Sequence, residues 1–163
     1  MIMDEILEVL RKDARITPQE IAKLTGKGVD VVKKAIKKYE DDGTIIQYTT
    51  VINQDLTKDA NSFVWALIEV NIAPQKDAGF DDVAERIYSF PEVKSCYLVS
   101  GDYDLLVIVE GETLQTVSSF IASKLAPMEH VRGTKTHFML KKYKESGHVL
   151  KKGNNRKVMN ISY

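Results

Sequence analysis

The sequence predicts an α+β protein in which a winged helix-turn-helix unit precedes a ferredoxin-like βαββαβ domain. Three helical patterns, with apolar residues three and four positions apart, fill the chain up to Gly43. After a polar stretch, the patterns follow the order strand, helix, strand, strand, helix, strand, which is typical of a split βαβ fold with an antiparallel sheet. We therefore expect a helix-turn-helix domain at 1–52, a linker at 53–61, a sheet domain at 62–144 and a basic C-terminal tail at 145–163.

Start and stop signals define the first two helices. The first is predicted from Asp4, its N-cap, to about Ala14. Thr17-Pro18-Gln19-Glu20 begins the second, because a threonine cap, a proline at the first helical position and a glutamate three residues after the cap form a capping box. Thr25-Gly26-Lys27-Gly28 ends this short helix.

A third helix is predicted from Val29 to Gly43, followed by an extended segment, a strand or wing, at Thr44–Ile52. Such a helix lies in the major groove of DNA, with its lysines near phosphates; a solvated charged face is the simpler alternative. Asp30 can accept a hydrogen bond from a cytosine amino group or cap the helix. The outer face of the helix carries four lysines: Lys33, Lys34, Lys37 and Lys38.

The predicted C-terminal domain has a first strand, Ser62–Ile72, that is apolar on both faces. Two helices cover only one face of a sheet, so the other face predicts an interface with a second copy of the chain. A two-fold dimer also suits DNA, because it contacts two half-sites. The remaining predicted elements are a helix over Phe80–Ile87 ended by Pro91, strands Val93–Leu98 and Leu105–Val109, a helix over Leu114–Leu125 ended by Pro127, and a last strand Val131–Tyr143.

A polar connection, Val99–Leu105, joins the two middle strands. Gly101 can adopt a positive φ, and Asp102 and Asp104 can accept hydrogen bonds from nearby amides, so a tight hairpin connection is one explanation. The other is a site for a small zwitterion, because carboxylates attract an ammonium group and exposed amides bind a carboxylate. The sequence leaves both open.

Four stretches of the N-terminal third form a recognisable pattern: Asp4-Glu5-Ile6-Leu7, Asp13-Ala14-Arg15-Ile16-Thr17, Ile21-Ala22-Lys23-Leu24-Thr25-Gly26, and Val32–Glu40 followed by Gly43-Thr44-Ile45-Ile46-Gln47-Tyr48. This pattern resembles the DNA-binding half of the Lrp/AsnC family of transcriptional regulators, also called feast/famine regulators. The family commonly has Ser or Thr near the turn and Arg within the third helix, where this chain has Gly28, Asp30 and Ala35. The expected partner is double-stranded DNA, and the expected contact residues are Thr17, Gln19, Lys27, Gly28, Asp30, Lys33, Lys34 and Lys37.

The sequence Gly101-Asp102-Tyr103-Asp104 stands where that family carries its Gly-Asp-Tyr-Asp signature, and the C-terminal domain resembles the family's ACT-like effector domain. The resemblance implies that this loop helps to bind an amino-acid effector at an interface between C-terminal domains. It also implies that the predicted homodimer can assemble further, since proteins of this family often form octamers. The expected effector-binding residues are Gly101, Asp102, Tyr103, Asp104, Thr134 and Thr136.

Composition and residue spacing argue against a membrane protein and against a metal site. A chain of 163 residues with 44% hydrophobic and 28% charged residues is typical of a globular protein, and its lack of a long apolar run or signal peptide predicts a cytoplasmic protein that does not enter a membrane. No metal or cofactor is expected, because His130, His137, His148 and Cys96 lack the spacing of a zinc site. A sirohaem-decarboxylase-like enzyme on the same scaffold and an amino-acid sensor acting on a protein partner are the alternatives to a regulator.

The C-terminal tail is basic, with eight Lys or Arg residues against one Asp or Glu in 135–163. We expect the fold to end near Glu145. The residues beyond it are predicted to be disordered, to contact phosphates, or to dock on the acidic middle region of a neighbouring subunit.

Overall fold

The computed structural model describes residues 4–57, 63–73 and 79–150. The chain divides into two compact units, 1–52 and 53–163. The first unit contains three helices: α1 (Glu5–Lys12), α2 (Pro18–Thr25) and α3 (Val29–Asp41). The second contains strands β1 (Val64–Ile72), β2 (Val93–Leu98), β3 (Leu105–Gly111) and β4 (Val131–Phe138), with helices α4 (Phe80–Tyr88) and α5 (Leu114–Phe120) and a small hairpin, β5 (Lys144–Glu145) and β6 (His148–Val149).

Local signals in the sequence determine where the N-terminal helices begin. The Asp4 carboxylate accepts a hydrogen bond from the Ile6 amide at 2.8 Å and caps α1. Thr17 and Glu20 form the predicted capping box at the start of α2, which ends at Gly26 with a φ of 67°. α1 ends at Lys12, two residues earlier than expected. The three helices share a small core made of Ile6, Leu10, Ile21, Ala22 and Val32.

Of the two alternatives predicted for Thr44–Ile52, a strand or a wing, the strand is wrong. These residues, all described, follow α3 without pairing to any strand that the structure contains. The Ile45 amide donates to the Tyr39 carbonyl at 2.8 Å and folds the segment back on α3. An extended stretch becomes a strand only when a neighbour satisfies its backbone, and the described chain supplies none here.

The C-terminal unit has the predicted ferredoxin-like fold. Its four-stranded sheet is antiparallel, with the strand order β2-β3-β1-β4. Both helices pack on one face, and α5 continues as a π-helical turn at Ile121–Leu125. The core between helices and sheet comprises Ala66, Ile68, Val70, Ile72, Val83, Ile87, Leu105, Val107, Val109, Val117, Phe120 and Leu125.

The other face of the sheet, here called the open face, carries the alternate side chains. Strand pairing places Trp65 opposite Glu110, Leu67 opposite Ile108 and Glu69 opposite Leu106 on β1 and β3. These side chains are half-buried within the single chain. The predicted presence of apolar residues on both faces of β1 is therefore confirmed.

The C-terminal boundary differs from the sequence expectation in two ways. β4 ends at Phe138 rather than Tyr143, although the Met139 amide still donates to the Trp65 carbonyl at 2.8 Å. Residues 144–149 form an ordered hairpin, so the prediction that structure ends near Glu145 is wrong. Ser146 and Gly147 supply the positive φ values of 46° and 84° that a two-residue turn needs. The basic stretch 151–163 and Ser62 lie outside the described residues.

Candidate functional site

The outer face of α3 is the first candidate site. Val32 is fully buried, and Val29, Ile36 and Tyr39 are half-buried on the same side. The opposite side carries exposed lysines, and none of them forms an ion pair with a residue that the structure describes: Lys33, Lys34, Lys37 and Lys38. Four ammonium groups on one helical face generate a positive surface suited to phosphates.

Lys27 differs from these lysines because its charge is paired within the unit. Its ammonium donates a hydrogen bond to the Glu5 carboxylate, and this bond raises the pKa of Lys27. Its side chain is one-third exposed. The structure therefore fixes Lys27 between α1 and the turn before α3, away from the lysine row.

The other predicted DNA-contact residues lie around the turn. The Thr17 hydroxyl is engaged with Glu20 at 2.7 Å, and the hydrogen bonds from Thr17 lower the pKa of that carboxyl. Gln19 is exposed on the first turn of α2. Gly28 is the N-cap of α3, so the alternative in which Asp30 caps this helix is wrong; Asp30 is the second helical residue and is exposed.

Acidic residues near the C-terminal end of α3 have structural partners. The Asp42 carboxylate accepts a hydrogen bond from the Thr44 amide at 3.0 Å, and its bonds with Thr44 lower its pKa. The Tyr48 hydroxyl donates to Glu40 at 2.9 Å, and burial together with this bond raises the pKa of Tyr48. Negative charge at this end of the helix thus holds the following segment in place.

The loop between β2 and β3 is the second candidate site. Asp104 ties it to the sheet: its carboxylate accepts a hydrogen bond from the Ile72 amide at 2.7 Å, and its own amide donates to the Val70 carbonyl at 3.1 Å. The Val99 amide donates to the Asp104 carbonyl at 2.9 Å and closes the loop. Asp104 is therefore the residue that builds the turn.

The residues at the tip of this loop are not held by side-chain hydrogen bonds of this kind within the described chain. Gly101 and Asp102 are exposed and Tyr103 is half-buried; the Asp102 carboxylate has no partner in the described chain. Gly101 does not adopt the positive φ that the sequence suggested. A connection of this length reverses the chain without a left-handed residue.

Thr134 and Thr136 are half-buried on β4. They pair with Val70 and Ile68 of β1, so their side chains lie on the helix-covered face. Val70 also pairs with Leu105, the residue after the loop. Because neighbouring strands are about 4.8 Å apart, Thr134 lies roughly 10 Å from the start of β3, at the same end of the sheet as the loop.

Two features of the open face were not predicted. The Glu69 carboxylate accepts a hydrogen bond from His137 Nε2 at 2.8 Å, and the Lys135 ammonium lies 3.7 Å from the same carboxylate. The Lys142 ammonium lies 3.6 Å from the centre of the Trp65 ring. Glu69, the charged residue of a mostly apolar strand, was the available sequence signal for the hydrogen bond with His137. Nothing local in the sequence indicated the contact between Lys142 and Trp65.

Two classes of site are not found in the described part of the chain. It contains no group of three or more His, Cys, Asp or Glu side chains arranged to hold a metal ion. Among the helices of residues 4–57, 63–73 and 79–150, none has the length and apolarity needed to cross a membrane.

Comparison with known proteins assigns both units. Residues 65–149 match the model of the Lrp/AsnC ligand binding domain, and residues 5–46 match a winged helix-turn-helix DNA-binding model. The chain is 42% identical over 158 residues to the uncharacterized HTH-type transcriptional regulator YugG of Bacillus subtilis, covering 97% of this chain and 95% of that protein. It is 30% identical over 142 residues to the HTH-type transcriptional regulator FL11 of Pyrococcus furiosus, covering 87% and 89% of the two chains.

Solved structures give the same result. The crystal structure of a transcriptional regulator from Neisseria meningitidis in complex with L-Met has a TM-score of 0.69 and 27% sequence identity to this chain. The alignment covers 89% of this chain and 92% of that one. Both units and their order along the chain are therefore shared with transcriptional regulators of known structure.

Proposed function

This chain belongs to the Lrp/AsnC family of DNA-binding transcriptional regulators, and on that premise we propose how it binds DNA and its effector. α3 enters the major groove with Lys33, Lys34 and Lys37 against phosphates. An amino acid binds at the tip of the loop between β2 and β3, at an interface between C-terminal units. The observation that carries the first part is the row of exposed, unpaired lysines on the outer face of α3.

The DNA contact is tested by measuring affinity at several salt concentrations. Log affinity falls with log salt concentration by about 0.9 for each phosphate neutralised. Replacing Lys33, Lys34 or Lys37 by alanine should weaken binding to all sequences and reduce this slope by about one for each lost contact. Lys94→Ala, which removes one charge from the exposed surface of β2, is the control. Unchanged binding and slope in the triple variant would contradict the placement of α3.

Among the other predicted DNA contacts, Gln19 and Gly28 remain candidates because both are exposed at the turn. Thr17 and Lys27 have partners within the unit, Glu20 and Glu5. Their proposed contribution is to hold the turn between α2 and α3 in position. Variants at these two positions should therefore lose stability along with DNA affinity.

The proposed effector site rests on the exposed Asp102 carboxylate. An α-amino acid presents an ammonium group, which this carboxylate can bind, and a carboxylate, which the exposed amides of Gly101 and Asp102 can bind. Tyr103, Thr134 and Thr136 are the further proposed lining residues. Asp104 supports the loop, because its carboxylate already binds the Ile72 amide.

A thermal-shift screen of the twenty amino acids tests this site. A ligand at 100 times its Kd adds roughly 2.7 kcal/mol to the stability of the state it binds. Asp102→Asn should abolish the shift given by the effector, while Glu112→Gln, at an exposed position after β3, should retain it. An equal shift in wild type and Asp102→Asn would contradict the role of Asp102.

We further propose a homodimer through the open face, from which an octamer can assemble. The support is the apolar character of this face, where Leu67 pairs with Ile108 across β1 and β3. Ile108→Glu should yield monomers in analytical ultracentrifugation, and Tyr88→Glu, exposed on α4, should not. A dimer that persists in Ile108→Glu would place the interface elsewhere.

The chain is proposed to act without catalysis, which the regulator names of its relatives support. Absorbance titration with sirohaem tests the enzyme alternative, since binding followed by decarboxylation would contradict the proposal. A sensor that acts on a protein partner would respond to an amino acid and fail to shift DNA from its own upstream region.

A further inference from the structure

The first turn of α3 presents two side chains whose chemistry differs from that of the lysines behind them. Asp30 and Val31 are the second and third residues of the helix, and both are exposed. Val31 is 57% exposed. In helix-turn-helix proteins, the N-terminal residues of the recognition helix contact base edges. These two residues therefore stand where sequence recognition occurs.

The Asp30 carboxylate, in the first turn of α3, complements the helix dipole but has no hydrogen-bond or ion-pair partner in the described part of the chain. Asp4 and Asp42 each accept a backbone hydrogen bond at a helix end, whereas the Asp30 carboxylate has neither a hydrogen bond nor an ion pair with any described residue. Lys34, one helical turn further along, does not form an ion pair with Asp30. A free carboxylate lowers affinity for a phosphate-lined groove unless a base edge donates to it, and the cytosine N4 amino group is such a donor.

Val31 is an apolar side chain on a charged helical face. It lies off the buried stripe of α3, whose centre is Val32. An exposed β-branched side chain at this position gains nothing from the core of its own unit. In the major groove, the only apolar group on a base edge is the C5-methyl of thymine.

On the premise of the proposed DNA contact, we infer that Asp30 accepts a hydrogen bond from a cytosine and that Val31 packs against the methyl group of an adjacent thymine. Consecutive residues of a helix project about 100° apart around its axis, so the two side chains contact different bases. The two side chains thus recognise neighbouring base pairs in each half-site. The lysines behind them supply affinity without sequence preference.

Selection from a random double-stranded DNA library tests both assignments. Wild type, Asp30→Ala, Val31→Ala and the control Asp41→Ala are compared as full-length proteins. Asp41 is an exposed carboxylate near the other end of the same helix, so its variant removes an equal charge far from the first turn. Both substituted positions are exposed, and circular dichroism spectra matching wild type establish that the variants fold.

Wild type should select a cytosine at one position of each half-site by about 5- to 150-fold, the range of a good base contact. Asp30→Ala should lose that preference, because alanine has no acceptor, and should bind random DNA more tightly. Asp41→Ala should also bind random DNA more tightly but keep the cytosine. Selection of the same cytosine by Asp30→Ala would overturn the role of Asp30.

The thymine contact is tested on the selected site with thymine replaced by deoxyuracil, which lacks only the methyl group. Wild type should bind this DNA about fourfold more weakly, as expected for one buried methyl. Val31→Ala should bind both DNAs equally. Equal binding of both by wild type would overturn the role of Val31. If wild type retained no DNA at all, the proposed function would fail, and the base assignments with it.

Discussion

Replacing Asp104 by alanine removes a side chain that ties the loop between β2 and β3 to β1. Its carboxylate accepts a hydrogen bond from the Ile72 amide at 2.7 Å, and Ile72 is only 5% exposed. Loss of the acceptor leaves a buried N–H group without a partner, which costs about 1–3 kcal/mol. For a unit of roughly 100 residues, we expect the melting temperature to fall by about 4–24 °C.

Thermal unfolding followed by circular dichroism measures this loss. Asp104→Asn retains a side-chain oxygen that can accept from Ile72, so its loss should be smaller than that of the alanine variant. Asp102→Ala should change the free energy of unfolding by less than about 0.5 kcal/mol, because the side chain is exposed. Equal losses for Asp102→Ala and Asp104→Ala would refute the division of roles between the two carboxylates.

Three further predictions concern stability and are measured by urea unfolding. The hydrogen bond from Lys124 lowers the pKa of Glu92, so this carboxylate stabilises the fold above its ordinary pKa and the stabilisation is lost as the pH falls through the lowered value. Glu92→Gln should thus cost roughly 1 kcal/mol at pH 7 and progressively less below about pH 4. An equal cost at pH 7 and below pH 4 would contradict a stabilising ion pair between Glu92 and Lys124. Thr17→Ala should cost about 1 kcal/mol by removing the cap of α2, with Thr17→Ser close to wild type; equal losses would argue against capping. Gly111→Ala places a methyl 2.8 Å from Val117 Cγ2 and should cost about 1–3 kcal/mol; a neutral result would mean that α5 shifts freely.

Much of the fold follows from signals that are local in sequence. The capping box at Thr17, the glycine stop at Gly26 and the periodicity of α3 each involve residues within one or two turns of each other. The C-terminal hairpin was missed although Ser146 and Gly147 form its turn, because the basic composition of the tail outweighed a two-residue signal. The strand alternative at Thr44–Ile52 was wrong because a strand requires a partner, and sequence pattern alone does not reveal whether one exists.

The loop between β2 and β3 also contains contacts that local sequence signals cannot predict. The sequence placed two carboxylates in one turn but could not assign their roles. Asp104 is distinguished from Asp102 by the Ile72 amide, a group 32 residues away in the chain. Likewise, the pairing of Lys27 with Glu5 joins residues 22 positions apart. Roles that depend on such long-range contacts are visible only once the chain is folded.

The position of Trp65 makes the protein its own optical reporter. It is the chain's one tryptophan, and it lies on the open face beneath the Lys142 ammonium. Its emission therefore records the polarity at that surface of the sheet unit. Fluorescence and far-ultraviolet circular dichroism, followed together during unfolding, would separate the melting of the sheet unit from that of the helical one without any introduced label.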